Sequence, residues 1–187
     1  MNLALFDFDG TITTGDTFTP FLRYAIPPLR AVAGGLVLAP ILVARVGFQA
    51  VRASALQELG RRYASEVLPT VVRPEALERL QWHQREGDTI AVVSAGLDVY
   101  LRPWCDGQGI MLICTELEQR RGRMTGRYRQ GDCSGTKKAE RIRSVFDLGR
   151  FDTVYAYGDS VEDREMLSLA SRRYYRGQEV TDVEPAG

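Results

Sequence analysis

The sequence predicts an α/β fold, a doubly wound parallel sheet covered by helices and interrupted by a helical insertion. Short apolar runs rich in β-branched and aromatic residues recur at Leu3 to Phe8, Thr89 to Val93, Ile110 to Cys114 and Thr153 to Tyr157, with a weaker one at Arg173 to Tyr175. Runs of this kind, apolar on both faces and separated by segments of helical spacing, are the pattern of parallel strands buried on both sides. The 187 residues are 44% hydrophobic and 26% charged, enough for one full core and a smaller appendage. The connection between the first two runs is too long for one crossover helix.

Taken in order, Leu3 to Phe8 is the first strand. The long connection that follows is punctuated by Pro27-Pro28, Pro40, Pro69 and Pro74, and helices fit Thr17 to Ala25, Leu29 to Val46, Phe48 to Ala64 and Arg73 to Glu86. Residues 16–87 are therefore expected to form a helical cap inserted into a core made of residues 1–15 and 88–187. After the third run, Thr115 to Glu118 and Met124 to Tyr128 flank Arg121-Gly122-Arg123 as a hairpin at the end of the sheet. The tail beyond Gly177 is polar and expected to be loose.

The 24 Lys and Arg residues balance 24 Asp and Glu residues, so no global field points to nucleic acid. Three cysteines, Cys105, Cys114 and Cys133, form no C-x-x-C pair and indicate neither a zinc site nor a disulfide framework. Met1 leads straight into the first strand, leaving no room for a signal peptide, and a reducing cytoplasm is the expected location.

The chemistry is concentrated where the strands end. Ligands of open α/β sheets sit beyond the carboxyl ends of the strands. The first strand delivers Asp7, Asp9 and Thr11 there, the second delivers Ser94, and the fourth delivers Asp159 and Asp163. Lys137 and Lys138 open the helix before that fourth strand. A buried carboxylate without a counter-charge costs several kcal/mol, so an apolar strand ending in Asp-x-Asp needs a cationic partner. Clustered carboxylates with a lysine and a hydroxyl suit Mg²⁺, a hard ion that takes oxygen ligands, together with a phosphate.

The segments "DFDGT", a strand-terminal Ser94, a helix-opening lysine and "GDSVED" resemble, in order and spacing, the four motifs of the haloacid dehalogenase superfamily of phosphohydrolases, with a Rossmann-like core. The inserted helices, the hairpin and "CSGTKKAERI" resemble its phosphoserine phosphatase-like branch. Within it, "DGTITTGDTF" and "YAYGDS" resemble the bacterial phosphatidylglycerophosphatase C and histidinol-phosphate phosphatase groups. The resemblance implies a Mg²⁺-dependent phosphomonoester hydrolase in which Asp7 is the nucleophile that forms an aspartyl-phosphate and Asp9 the general acid and base. It implies that Thr11, Ser94 and the N–H groups of Ala95 and Gly96 hold the phosphate at a helix N-terminus, with Lys138 neutralising its charge. Lys138, not Lys137, matches the G-x-x-K spacing from Gly135. Asp7, the Asp9 carbonyl, Asp159 and Asp163 would form the metal shell. Glu162 stands where many relatives carry Asn, and Asp16 where phosphoserine phosphatases carry a longer Glu for the substrate ammonium, which disfavours an amine-bearing substrate.

Taken singly, Ser94, Asp163 and the lysines have ordinary structural explanations as caps or solvated surface, and His83 beside Trp82 reads as a structural residue of a cap helix. A phospho-receiver domain would need an acceptor Asp on a middle strand, and no Asp occurs from Thr17 to Gly87. A silent phospho-ligand binding module and a phosphotransferase working through the same intermediate remain as alternatives. The segment Ala31 to Ala44 would span roughly 21 Å as a helix, short of the ~30 Å hydrocarbon core. It reads as a buried cap or dimer helix, or as an arginine-flanked interfacial helix. The partners left open are therefore a phosphorylated small molecule or phospholipid, with peripheral contact at the inner membrane face through Leu29 to Val51.

Overall fold

A computed structural model describes residues 1–25 and 48–181 of the chain. A six-stranded sheet is ordered β3-β2-β1-β6-β7-β8, where β1 is Leu3–Phe6, β2 Thr89–Leu97, β3 Met111–Thr115, β6 Val154–Gly158, β7 Arg172–Tyr175 and β8 Gln178–Val180. Its first five strands pair in parallel, and β8 returns antiparallel on β7. The doubly wound α/β architecture is as the sequence predicts. The tail is the exception: Gln178–Val180 is an edge strand, paired through a two-residue turn at Arg176 and Gly177.

Alternation along β1 sorts the core into two layers. Leu3 and Leu5 point to one face and pack with Ala91, Val93, Ala156, Ile142, Phe146 and Met166. Ala4 and Phe6 point to the other and join Val92, Tyr155, Tyr157, Leu80 and Trp104. The first face is covered by α6 (Thr136–Val145) and α7 (Arg164–Ser168).

Between β1 and β2 lie α1 (Phe18–Ala25), α2 (Ala53–Glu66), α3 (Leu68–Val71) and α4 (Pro74–Arg85). The helix expected from Phe48 begins only at Ala53, because residues 50–53 are occupied otherwise. Ala50 N–H donates to the Met124 carbonyl and Met124 N–H to Val51 at 2.9 Å each, while Arg52 bridges Arg123. These bonds attach the insertion to a hairpin of β4 (Leu117–Arg120) and β5 (Arg123–Tyr128), which is a separate two-stranded sheet. The segment Leu29 to Val46 and most of the proposed membrane-contact stretch lie outside the described residues, as do Arg30 and Arg45. No helix among the described residues is long and apolar enough to cross a membrane.

α4 packs on the sheet itself. His83, wholly buried, is 2.8 Å from Asp88 Oδ2 through Nδ1 and 2.9 Å from the Tyr157 hydroxyl through Nε2. Its ring meets Phe6, Trp82 and Tyr155 edge-on. The histidine is structural, as its neighbours suggest, but its helix covers the sheet. Burial lowers its pKa, opposed by Asp88. Cys105, Cys114 and Cys133 are free and buried.

α2 lies along α5 (Asp98–Gln108), and Phe21, Tyr63 and Tyr100 form an aromatic cluster between insertion and core. The approach depends on Gly60, where a Cβ would collide with the Val99 carbonyl on the backbone of α5. Gly60→Ala should therefore destabilise the protein by about 1–3 kcal/mol despite alanine's better helix propensity. A denaturant titration checks this, and a stabilised variant would contradict the packing.

Candidate active site

The sheet register brings the acids together. Phe6 pairs with Tyr157 of β6, and the Asp7 N–H donates to the Tyr157 carbonyl at 2.9 Å. Asp7 is thus the last residue of the first chain segment held by the sheet, level with the end of β6, after which Asp159 follows. Asp7 continues the alternation of Leu3 and Leu5 toward α6. There Lys138, Ala139 and Ile142 form one buried helix face.

Lys138 Nζ lies 2.5 Å from Asp7 Oδ1 and 2.5 Å from Asp163 Oδ1. All three side chains are buried. Lys137, one residue earlier, points away and pairs with exposed Glu140 at 2.6 Å. Asp163 Oδ2 accepts the N–H groups of Asp159 and Ser160 at 3.1 and 3.0 Å and the Ser160 hydroxyl at 3.0 Å. Both of its oxygens are occupied, so Asp163 holds the lysine and shapes the loop that carries Asp159.

Asp7, Asp159 and Asp163 each offer a carboxylate oxygen within 4.8 Å of the others. One lysine cannot neutralise three carboxylates. Burial pushes the Asp7 carboxyl up to about 7, against the pull of Lys138. Asp159 is also raised, by burial and then by Asp163. Burial opposes the Lys138 charge, yet the flanking carboxylates raise its pKa above the usual lysine value. The surplus negative charge and the all-oxygen donors fit a hard divalent cation such as Mg²⁺, with Asp7 and Asp159 as the carboxylates left to reach it.

Between the acids runs a tight loop, residues 8–12, closed by the Thr13 N–H donating to the Phe8 carbonyl. Gly10 has φ +80°, and a Cβ there would strike the Asp159 carboxylate. Thr11 Oγ1 is 3.4 Å from Asp159 Oδ1. The Asp9 carboxylate is not part of the acidic cluster. Its Oδ1 accepts the Thr17 N–H at 3.0 Å and the Thr17 hydroxyl at 2.5 Å. Burial pushes its pKa up to about 6, against those two bonds.

Ser94 is buried inside β2, three residues before the end of the strand and not at its terminus as expected, and the β2–β3 register becomes irregular just after it. β2 continues through Ala95 and Gly96 to Leu97, so these two residues precede the helix N-terminus expected to present their N–H groups. The Gly96 N–H already donates to Ser94 Oγ at 2.9 Å. Asp16 is exposed and accepts the Phe18 and Thr19 N–H groups at the start of α1.

Three residues near the site carry no local signal in the sequence. Thr17 is buried, its hydroxyl lies 3.3 Å from the Tyr100 hydroxyl, and its carbonyl accepts from the Tyr63 hydroxyl at 3.1 Å. Tyr100 and Tyr63 come from α5 and α2, so only tertiary structure brings them to Asp9. Burial, then the Asp9 charge, raises the pKa of both tyrosines.

The model of the haloacid dehalogenase-like hydrolase family matches residues 4–168. The chain is 32% identical to Protein CicA of Caulobacter vibrioides over 93% of its own length and 85% of that protein. It is 29% identical to the 2-hydroxy-3-keto-5-methylthiopentenyl-1-phosphate phosphatase of Exiguobacterium sp., over 97% of this chain and 87% of the relative. Among solved structures, a Bordetella pertussis Tohama I protein of unknown function superposes with a TM-score of 0.76 at 24% identity, covering 92% of this chain and 88% of that one. Apo phosphoserine phosphatase superposes at 0.64 and 18% identity, covering 92% and 84%.

Thr17→Val should remove a buried bond to a carboxylate, cost about 1.5–3 kcal/mol and raise the Asp9 pKa further. Denaturation together with carboxyl-resolved NMR titration would read both effects, and an unchanged Asp9 titration would contradict the contact. Asp7 and Asp9 have folded pKa values above the unfolded value of about 3.9. The folded state therefore binds more protons between pH ~4 and ~7, and this contribution to stability is lost as pH rises through that window. In EDTA, wild type should lose more stability between pH 5 and 7.5 than Asp7→Asn does. Equal losses would mean that Asp7 is not the strained group.

Proposed function

Because the chain belongs to the haloacid dehalogenase-like hydrolases and is an enzyme of the phosphatase kind, we propose that it hydrolyses a small-molecule phosphomonoester through an aspartyl-phosphate on Asp7. The observation that carries this is the arrangement of one buried lysine among Asp7, Asp159 and Asp163. The cluster would hold Mg²⁺ through Asp7 and Asp159, with the Asp9 carbonyl as a further ligand and Asp163 behind them. Bound there, the ion supplies Lewis-acid polarisation and screens repulsion between two anions.

In this reading an Asp7 carboxylate oxygen attacks phosphorus, the bond from phosphorus to the ester oxygen breaks, and Asp9 gives its proton to the departing alkoxide. Burial favours that proton, because it holds the Asp9 carboxyl near 6. Asp9 then takes a proton from water as the water oxygen attacks phosphorus, the bond from phosphorus to the Asp7 oxygen breaks, and inorganic phosphate leaves with the Asp7 carboxylate regenerated. Lys138, Thr11, Ser94 and the Ala95 and Gly96 amides would hold the phosphoryl oxygens. For Gly96 this requires its N–H to exchange Ser94 Oγ for substrate.

We further propose that residues 1–15 and 88–187 carry the chemistry and that the helices within 16–87 shape the leaving-group pocket, α4 serving as a wall of the sheet. A substrate without an ammonium group fits best, since Asp16 is engaged in capping α1. We also propose a cytoplasmic location, which suits three cysteines that are free and buried. A screen should contain the methylthiopentenyl phosphate named for the Exiguobacterium relative, phosphoserine, histidinol phosphate and phosphatidylglycerophosphate.

Asp7→Asn should reduce phosphate release from p-nitrophenyl phosphate to background while keeping the circular-dichroism spectrum of wild type. EDTA should abolish wild-type release, and Mg²⁺ should restore it. An active Asp7→Asn variant would refute the nucleophile, and EDTA-resistant turnover would refute the metal.

A further inference from the structure

A cavity of about 580 Å³ adjoins the acidic cluster on the sheet face opposite Lys138, the face of Phe6, Tyr157 and Tyr174. Its wall carries Arg73, Arg79 and Arg176, with Glu75, and it reaches Thr11 and Asp159 at the end nearest the cluster. Each arginine is anchored in a way that leaves its terminal nitrogens available. Arg73 donates from Nε to the Thr13 carbonyl at 3.0 Å, and Arg176 from Nε to the Asp159 carbonyl at 3.0 Å. The Arg79 guanidinium lies over the rings of Trp82 and Tyr174, 5.4 and 5.6 Å from their centroids.

Among the described residues, no hydrogen bond or ion pair reaches the terminal nitrogens of these three arginines. Arg73 precedes the first residue of α4, Arg79 lies near the middle of that helix and Arg176 in the β7–β8 turn, so elements far apart in sequence deliver three guanidinium groups to one concavity. Two carboxylates line it as well, Glu75 and Asp159, which leaves an excess of positive charge. Anchored guanidinium forks are suited to bidentate recognition of phosphate oxygens, and a concave site strengthens that attraction by focusing the field.

We propose that this cavity is a second oxyanion site, which takes a phosphate group either as inorganic phosphate or as the monoester of a small alcohol. It borders the proposed catalytic site, with which it shares Thr11 and Asp159, but its ligand is held by the arginines on the face opposite Lys138 and needs neither the metal nor an aspartyl-phosphate.

Calorimetric titration of inorganic phosphate and of glycerol 3-phosphate in EDTA tests it, because the metal-free acidic cluster repels anions whereas the arginines need no metal. Millimolar or tighter binding is expected, weakened about five-fold or more by Arg79→Gln or Arg176→Gln. Tighter glycerol 3-phosphate binding identifies a phosphorylated alcohol as the ligand; preference for the free ion identifies phosphate itself. Arg176 is exposed, so its variant carries the test if loss of the Arg79 stacking impairs folding. Absence of binding in EDTA, or an affinity unchanged in every folded variant, overturns the proposal. Phosphate release with Mg²⁺ is measured separately, so failure of the catalytic reading is distinguishable from failure of this one.

Discussion

Lys138 stands between Asp7 and Asp163, 2.5 Å from each, with Asp159 close by and water largely excluded. An ion pair buried in this way needs every remaining lone pair to be matched, or desolvation exceeds the attraction. Asp163 meets that condition through three donors in its own loop. Asp7 and Asp159 do not. The local deficit of positive charge is the feature on which the rest of the site depends: it fits a divalent cation, and it explains why burial is able to raise Asp7 so far. Helix α6, the β6 register and the Asp163 turn can all be understood as the supports of that one lysine.

The insertion contributes to the site by a different route. Asp9 is held by Thr17 at the entry to α1, and Thr17 is in turn held by Tyr63 of α2 and Tyr100 of α5. The two chain crossings into and out of the insertion run side by side, Thr13 bridging Val72 and the Arg73 N–H donating to the Ile12 carbonyl. A shift of the helices would therefore pull directly on Asp9. Through such a linkage, packing of the inserted helices can set the position and proton affinity of a carboxyl outside them, as lid elements do in many enzymes.

Several elements depart from the sequence expectation for identifiable reasons. The chain from Phe48 does not begin a helix, because its backbone groups bond to the β5 strand. Gln178–Val180 reads as polar tail but is an edge strand, where exposed polar side chains are normal and the pairing partner is supplied by β7. α4 has the amphipathic pattern of any helix in the insertion, and periodicity does not say which surface the apolar stripe covers. In the fold α4 covers the sheet, burying Leu80 and His83, whose ring is matched by Asp88 and Tyr157.

The sequence by itself determined the alternation of strands and helices, the presence of an insertion, and the candidate acids, because strand runs and strand-end carboxylates are local patterns with few competing explanations. The family resemblance, through the G-x-x-K spacing from Gly135, favoured Lys138 over Lys137, and it is Lys138 that the fold buries beside Asp7 while Lys137 pairs with Glu140 at the surface. Tertiary structure alone decided that Asp9 turns toward Thr17 while Asp7 turns toward Lys138, that Gly96 donates to Ser94, and that arginines from α4 and the β7–β8 turn share a cavity. Each of these joins residues far apart in the chain or depends on a side-chain orientation, and both are set by packing, which no local pattern encodes.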